Sequence, residues 1–129
     1  MPGVGDRRGS GGPWEEWYGY SRVVRVGPLA VTAGCTSVVD GQVQAPGDAA
    51  EQARIAFRTG LAALAEVGLG PEHVINTKVS IVHRDHANPV GTVHGEVFGD
   101  VRPAATMVVV AGLVDPAMLV EVELTAWAG

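Results

Sequence analysis

The clearest pattern in the chain lies at residues 118–127, where Val120, Val122, Leu124 and Ala126 fall on one side and Glu121, Glu123, Thr125 and Trp127 on the other. Successive side chains of a strand point to opposite faces, so this stretch predicts a strand with one buried face. Residues 104–111 are nearly all apolar and rich in β-branched side chains, and Asp115-Pro116 is turn chemistry. Together the two runs predict a C-terminal hairpin. Residues 21–26 and 29–33 read as two shorter strands joined by a tight turn at Gly27-Pro28.

Between these strand-rich ends the period changes. Asp48 and Glu51 form a capping box, and Ala49, Ala53, Ala56, Phe57, Gly60, Leu64 and Val67 then recur at helical spacing. Glu51, Arg54 and Arg58 occupy another side, and Gly68, Gly70 and Pro71 end the helix. Residues 73–82 return to period two, with Ile75, Thr77, Val79 and Ile81 opposite Val74, Asn76, Lys78 and Ser80. A second helix follows, capped by Asp85 or Asn88, with Pro89 at its first position in the latter case. Its apolar positions Val90, Val93, Val97 and Phe98 leave His94 on the inward stripe. The order β-β-α-β-α-β-β describes an α+β domain of two helices on one face of a five- to six-stranded sheet. The uncovered face still carries apolar residues, which other copies of the chain would bury in a homo-oligomer.

Composition narrows the classes. The chain has 129 residues, 47% of them hydrophobic, which suits one domain with a substantial core. Residues 1–13 are rich in glycine and proline and are expected to be disordered, leaving 14–129 as the folded domain. A net charge of -5 and the absence of a basic cluster beyond Arg7-Arg8 argue against a nucleic-acid partner. No apolar run reaches bilayer-spanning length, and no membrane association is expected. Cys35 is the single cysteine, so no intrachain disulfide forms and a reducing cytoplasmic location is the simplest expectation.

Candidate chemistry concentrates at a few positions. Glu121 and Glu123 stand on one strand face near Trp127, and a carboxylate held against apolar surface has a raised pKa suited to acid-base work. The competing reading is a solvated outer face. The small residues Thr32, Ala33, Gly34, Cys35 and Thr36 let a backbone approach a neighbouring strand or a ligand. Cys35 reads as a small buried hydrophobe or as a nucleophile, and no neighbouring base is visible in sequence. The aromatics Trp14, Trp17, Tyr18 and Tyr20 either lid the core or line a cleft. His94 is a hydrogen-bonded core histidine or a cleft acid-base group. His83 and His86 lack a third metal ligand, so no metal site is expected.

In order along the chain, Gly19-Tyr20-Ser21, Thr32-Ala33-Gly34, the capped helix from Asp48, Asn76-Thr77-Lys78-Val79, Glu96-Val97-Phe98-Gly99-Asp100, Arg102-Pro103-Ala104-Ala105-Thr106 and Val120-Glu121-Val122-Glu123 resemble the Rid family. This is the reactive intermediate deaminase family, also called YjgF or endoribonuclease L-PSP. The resemblance covers residues 14–128 and implies a chorismate-mutase-like fold, a homotrimer and three small-molecule clefts between subunits. It also implies water-mediated hydrolysis of imines or enamines without a bound cofactor. Carried over by motif, Tyr20, Gly34, Thr106 and Glu121 are pocket residues, with Glu121 orienting the attacking water. Ala105 stands where the deaminases place the arginine that binds the substrate carboxylate, and whether Arg102 replaces it is open, because neighbouring side chains of an extended segment face opposite ways. The chain therefore resembles a branch without that arginine, marked here by Pro13-Trp14-Glu15-Glu16, Gly19-Tyr20-Ser21-Arg22, His94-Gly95-Glu96 and the run from Asp115 to Glu121. A non-catalytic metabolite-binding or chaperone-like trimer is the second reading, and an endoribonuclease or translation inhibitor the third.

Overall fold

Residues 3–129 are described by the computed structural model, and Met1 and Pro2 of the segment expected to be disordered lie outside the described residues. Eight strands and three helices follow one another as β1 (Asp6–Arg8), α1 (Pro13–Tyr18), β2 (Val23–Val26), β3 (Leu29–Thr32), β4 (Val38–Val39), β5 (Gln42–Val43), α2 (Ala49–Glu66), β6 (Val74–Ile81), α3 (Ala87–Phe98), β7 (Ala104–Val109) and β8 (Val120–Trp127). Six strands form one mixed sheet in the order β1-β2-β3-β8-β6-β7, and β4 and β5 form a separate small ribbon.

The sheet is built around β8, whose burial alternates residue by residue as its sequence predicts. Val120, Val122, Leu124 and Ala126 face α2 and α3 and are fully buried with Phe57, Leu64, Ile81, Val90, Val93 and Phe98. Each large apolar side chain in that layer contributes about 1.5–3 kcal/mol on burial. The fully buried amide of Gln52 is satisfied three ways: it donates to Ala45 and Ala117 carbonyls and accepts from the Leu119 amide.

Four sequence expectations are corrected. The C-terminal runs do not form a hairpin, because β6 lies between them, parallel to β7 and antiparallel to β8. β6, α3 and β7 form a crossover unit, which lays β7 parallel beside β6, and β8 pairs with the other edge of β6. Residues 1–13 were expected to be disordered, yet Asp6–Arg8 pairs with β2 and Pro13 begins α1. Backbone hydrogen bonding orders that segment without large apolar side chains. The second helix starts at Ala87, after a 3-10 turn at Arg84–His86, so neither Asp85 nor Asn88 caps it and Pro89 lies inside its first turn. At Asp48 only half of the capping box forms: its carboxylate accepts from the Glu51 amide, while the Glu51 carboxylate turns to Arg54.

The hairpin at Gly27-Pro28 does form, with Val26 opposite Leu29 and Gly27 at φ 58°. On the sheet face away from the helices, Leu29, Val31 and Trp127 remain about half exposed.

Candidate active site

A cavity of about 560 Å³ opens where α1, β2, the segment after β3 and the start of β8 converge. Its polar lining includes Glu121, Arg22, Asp40 and Tyr20, and its apolar lining includes Trp14 and Tyr18. The volume suits a small metabolite.

Glu121 enters the cavity because strand alternation puts it on the face opposite Val120 and Val122, at the start of β8. Beside it the chain past β3 runs close, with Cys35 and Val122 exchanging backbone hydrogen bonds of 2.7 and 2.9 Å. Glycine at position 34 leaves room for the carboxylate, since a β-carbon there would stand 2.6 Å from the Glu121 carboxyl carbon. Burial raises the Glu121 pKa, the neighbouring Glu123 raises it further, and Arg22 offsets part of the rise. A carboxyl group raised in this way keeps its proton to higher pH than a free one, and a positioned carboxyl can take and return a proton.

Arg22 ties the walls together. Its Nη1 donates to the Gly34 carbonyl and lies 3.8 Å from Cys35 Sγ, while Nη2 pairs with Glu15 Oε2 at 3.4 Å. The guanidinium also lies 5.7 Å from the centre of the Tyr20 ring. Glu15 in turn accepts from the Ser10 amide at 2.8 Å and from the Ser10 hydroxyl. Burial raises the Glu15 pKa, but the Ser10 hydrogen bonds and the Arg22 charge outweigh it and hold the carboxyl below the usual range. Helix α1 is thereby clamped over the cavity, with Gly19 in the left-handed region at its C-terminus.

Of the residues read from sequence, Tyr20, Gly34, Cys35 and Glu121 meet in this cavity. Cys35 is 1% exposed, its thiol bonded to the Ala33 carbonyl, and burial pushes its pKa up, which favours the protonated thiol over a nucleophilic thiolate. Ala105 and Thr106 lie elsewhere, exposed on β7 and separated from β8 by β6. His94 is also outside the cavity: its Nε2 bonds Thr77 Oγ1 at 2.8 Å, and its ring packs against Phe57 and Phe98 at 5.6 and 5.0 Å. Burial lowers the His94 pKa, so the imidazole is held neutral. Among the described residues no cluster of three or more metal-ligating side chains occurs, and no helix is long and apolar enough to cross a membrane.

Glu15, Arg22 and Asp40 were not singled out as site residues from sequence. The runs Pro13-Trp14-Glu15-Glu16 and Gly19-Tyr20-Ser21-Arg22 carried two of them, but their pairing depends on a helix folding back onto a strand. The one available signal was opposite charges in a Trp- and Tyr-rich stretch preceding an apolar strand.

The family model described as Endoribonuclease L-PSP matches residues 15–128. A Streptomyces coelicolor protein, SCO2049, is 42% identical over 120 residues, covering 93% of this chain and 90% of its own. The crystal structure of Rv2704 from Mycobacterium tuberculosis, a member of the YjgF/YER057c/UK114 family, superposes with a TM-score of 0.86 at 38% identity, covering 95% of this chain and 98% of that one. The Escherichia coli YjgF gene product shares the fold at 22% identity, with a TM-score of 0.80 and full coverage of both chains at 100%. The family match across nearly the whole domain, joined to the mixed sheet and two packed helices, places this chain in the endoribonuclease L-PSP family, also known as the YjgF or Rid family.

Proposed function

We propose that the cavity beside β8 is the reaction site of a small hydrolase that acts on an imine, an enamine or a related carbonyl metabolite. The observation that carries this reading is the Glu121 carboxyl, half-buried in a metabolite-sized cavity and raised in pKa. In its ionised form Glu121 takes a proton from water as the water oxygen adds to the imine carbon. The C=N electron pair moves to nitrogen and Glu121 returns the proton there; Glu121 then takes the carbinolamine hydroxyl proton and passes it to nitrogen as the C–N bond breaks and the C=O bond forms. Carbonyl product and ammonia or an amine leave, with one water consumed. No cofactor takes part in this scheme, and none is proposed.

The assembly we propose is a homotrimer. Half-exposed Leu29, Val31 and Trp127 on the open sheet face, and the exposed strand β7, support burial against further copies of the chain. In such an assembly Ala105, Thr106 and His94 would belong to the wall that one copy offers its neighbour's Glu121. A cytoplasmic location accords with the single unpaired cysteine.

A second reading is a binding module without turnover, favoured by the aromatic lining of Trp14, Tyr18 and Tyr20. Nuclease action suits the chain less well, because a net charge of -5 opposes phosphate binding. The deciding experiment follows loss of 2-iminobutyrate and of the N-methyl imine of butanone, each generated in situ. Turnover of either imine that disappears in Glu121→Gln supports the hydrolase. Turnover of neither, with ligand-dependent thermal stabilisation intact, replaces it by the binding module.

A further inference from the structure

The geometry points to a small organic cation, such as an iminium or ammonium group without a carboxylate, as the ligand class of this cavity. The inference deepens the reading of the cavity as the functional site and rests on it.

Two kinds of wall define the recognition. The first is aromatic: Trp14, Tyr18 and Tyr20 line the cavity together, and the face of an aromatic ring attracts a cation through its quadrupole. The second is acidic: Glu121 and Asp40 both reach the same space. Only one basic side chain, Arg22, is among the lining residues, and its charge is already committed. Both of its terminal nitrogens are engaged, one by the Gly34 carbonyl and the other by Glu15, in a pair whose side chains are 14% and 8% exposed. An incoming carboxylate would meet Arg22 already paired with Glu15, and would meet Glu121 and Asp40 as like charges. A cation meets two carboxylates and the rings of Trp14 and Tyr18 instead, while the Tyr20 ring already carries Arg22.

The same arrangement accounts for what the cavity lacks. Position 105 is alanine, lies exposed on β7 and adds no charge. A substrate bearing an α-carboxylate therefore finds no free guanidinium, either in the cavity or at that position. An imine that is protonated at neutral pH matches both walls, and protonation also makes its carbon more electrophilic toward water.

The test is calorimetric and does not depend on turnover. Three probes of similar size are titrated into the full chain: choline, its uncharged isostere 3,3-dimethylbutan-1-ol, and 2-oxobutyrate. Choline is expected to bind at least about tenfold more tightly than the isostere, with 2-oxobutyrate weaker than both. Glu121→Gln and Tyr20→Leu should each erase most of the difference between choline and the isostere. Glu15→Gln supplies an independent check, since it releases the Arg22 charge and should raise 2-oxobutyrate binding while lowering that of choline. Equal binding of choline and the isostere, preference for 2-oxobutyrate, or saturation by none of the three at millimolar concentration overturns the inference. Choline selectivity without hydrolysis of any imine would sink the hydrolase and leave this ligand class standing, so the two failures are distinguishable.

Discussion

Gly34 and Glu121 are in mutual contact such that any side chain at position 34 would occupy the space of the carboxylate: a β-carbon there falls 2.6 Å from Cδ and 2.7 Å from Oε1 of Glu121. The contact lies at the free end of a flexible side chain, so Gly34→Ala is expected to displace Glu121 and leave the backbone in place. Turnover, or ligand affinity if there is no turnover, should fall at least about tenfold, with a stability cost of about 1 kcal/mol or less. Paired measurement of imine hydrolysis and urea unfolding checks this. A variant with wild-type activity would show that the position of Glu121 is immaterial.

The pH response of Glu121 has a defined sign. Its folded-state pKa is raised by burial and by Glu123 against the opposing charge of Arg22, with Asp40, Tyr20 and Cys35 also around the cavity. The folded chain therefore holds this proton to higher pH than the unfolded chain does. Its contribution to stability is full below the ordinary carboxylate range and is lost as pH rises through the raised value. Glu121→Gln should match the wild type in Tm at acidic pH and exceed it above the titration. The same ionisation should appear as the acidic limb of the pH–rate profile, because the base works only when deprotonated.

The clamp from Ser10 through Glu15 to Arg22 should be costly to break. Glu15→Ala removes the acceptor of two Ser10 hydrogen bonds and leaves Arg22 buried without its counter-charge. A loss of about 2–3 kcal/mol is expected, together with faster proteolysis before residue 13. Glu15→Gln should lose less and flatten the acid unfolding limb. The Glu15 pKa is depressed, so its stabilisation is present above the ordinary carboxylate value and is lost as pH falls through the folded one. Unchanged stability in Glu15→Ala would remove the clamp from the account.

Assembly can be read from mass. Light scattering should give three times the 13.3 kDa chain mass. Val31→Glu on the open sheet face should lower that number and weaken ligand binding together. A wild-type monomer with full ligand affinity would show that one copy forms the site alone.

Much of the fold was legible in the sequence wherever the deciding interaction is local. The period-two run of β8, the stripe of α2 and the Gly27-Pro28 turn each depend on residues a few positions apart, and each forms as read. The strand order was not legible. Residues 104–109 and 120–127 adjoin in sequence and are both suited to strands, yet β6 takes the place between them. Strand pairing is chosen by which arrangement buries most surface across the whole sheet, and no local pattern encodes that choice.

The candidate site divides along the same line. By itself the sequence determined that Glu121 leaves the core face of its strand, that position 34 is a glycine, and that position 105 carries no charge, because these follow from residue identity and backbone alternation. Only the tertiary structure decided that Arg22 is neutralised by Glu15 and shares a cavity with Glu121 and Asp40, and that His94 is bonded to Thr77 instead. Those relationships join side chains on different elements, whose meeting is set by burial of the apolar faces beneath them and not by their spacing along the chain.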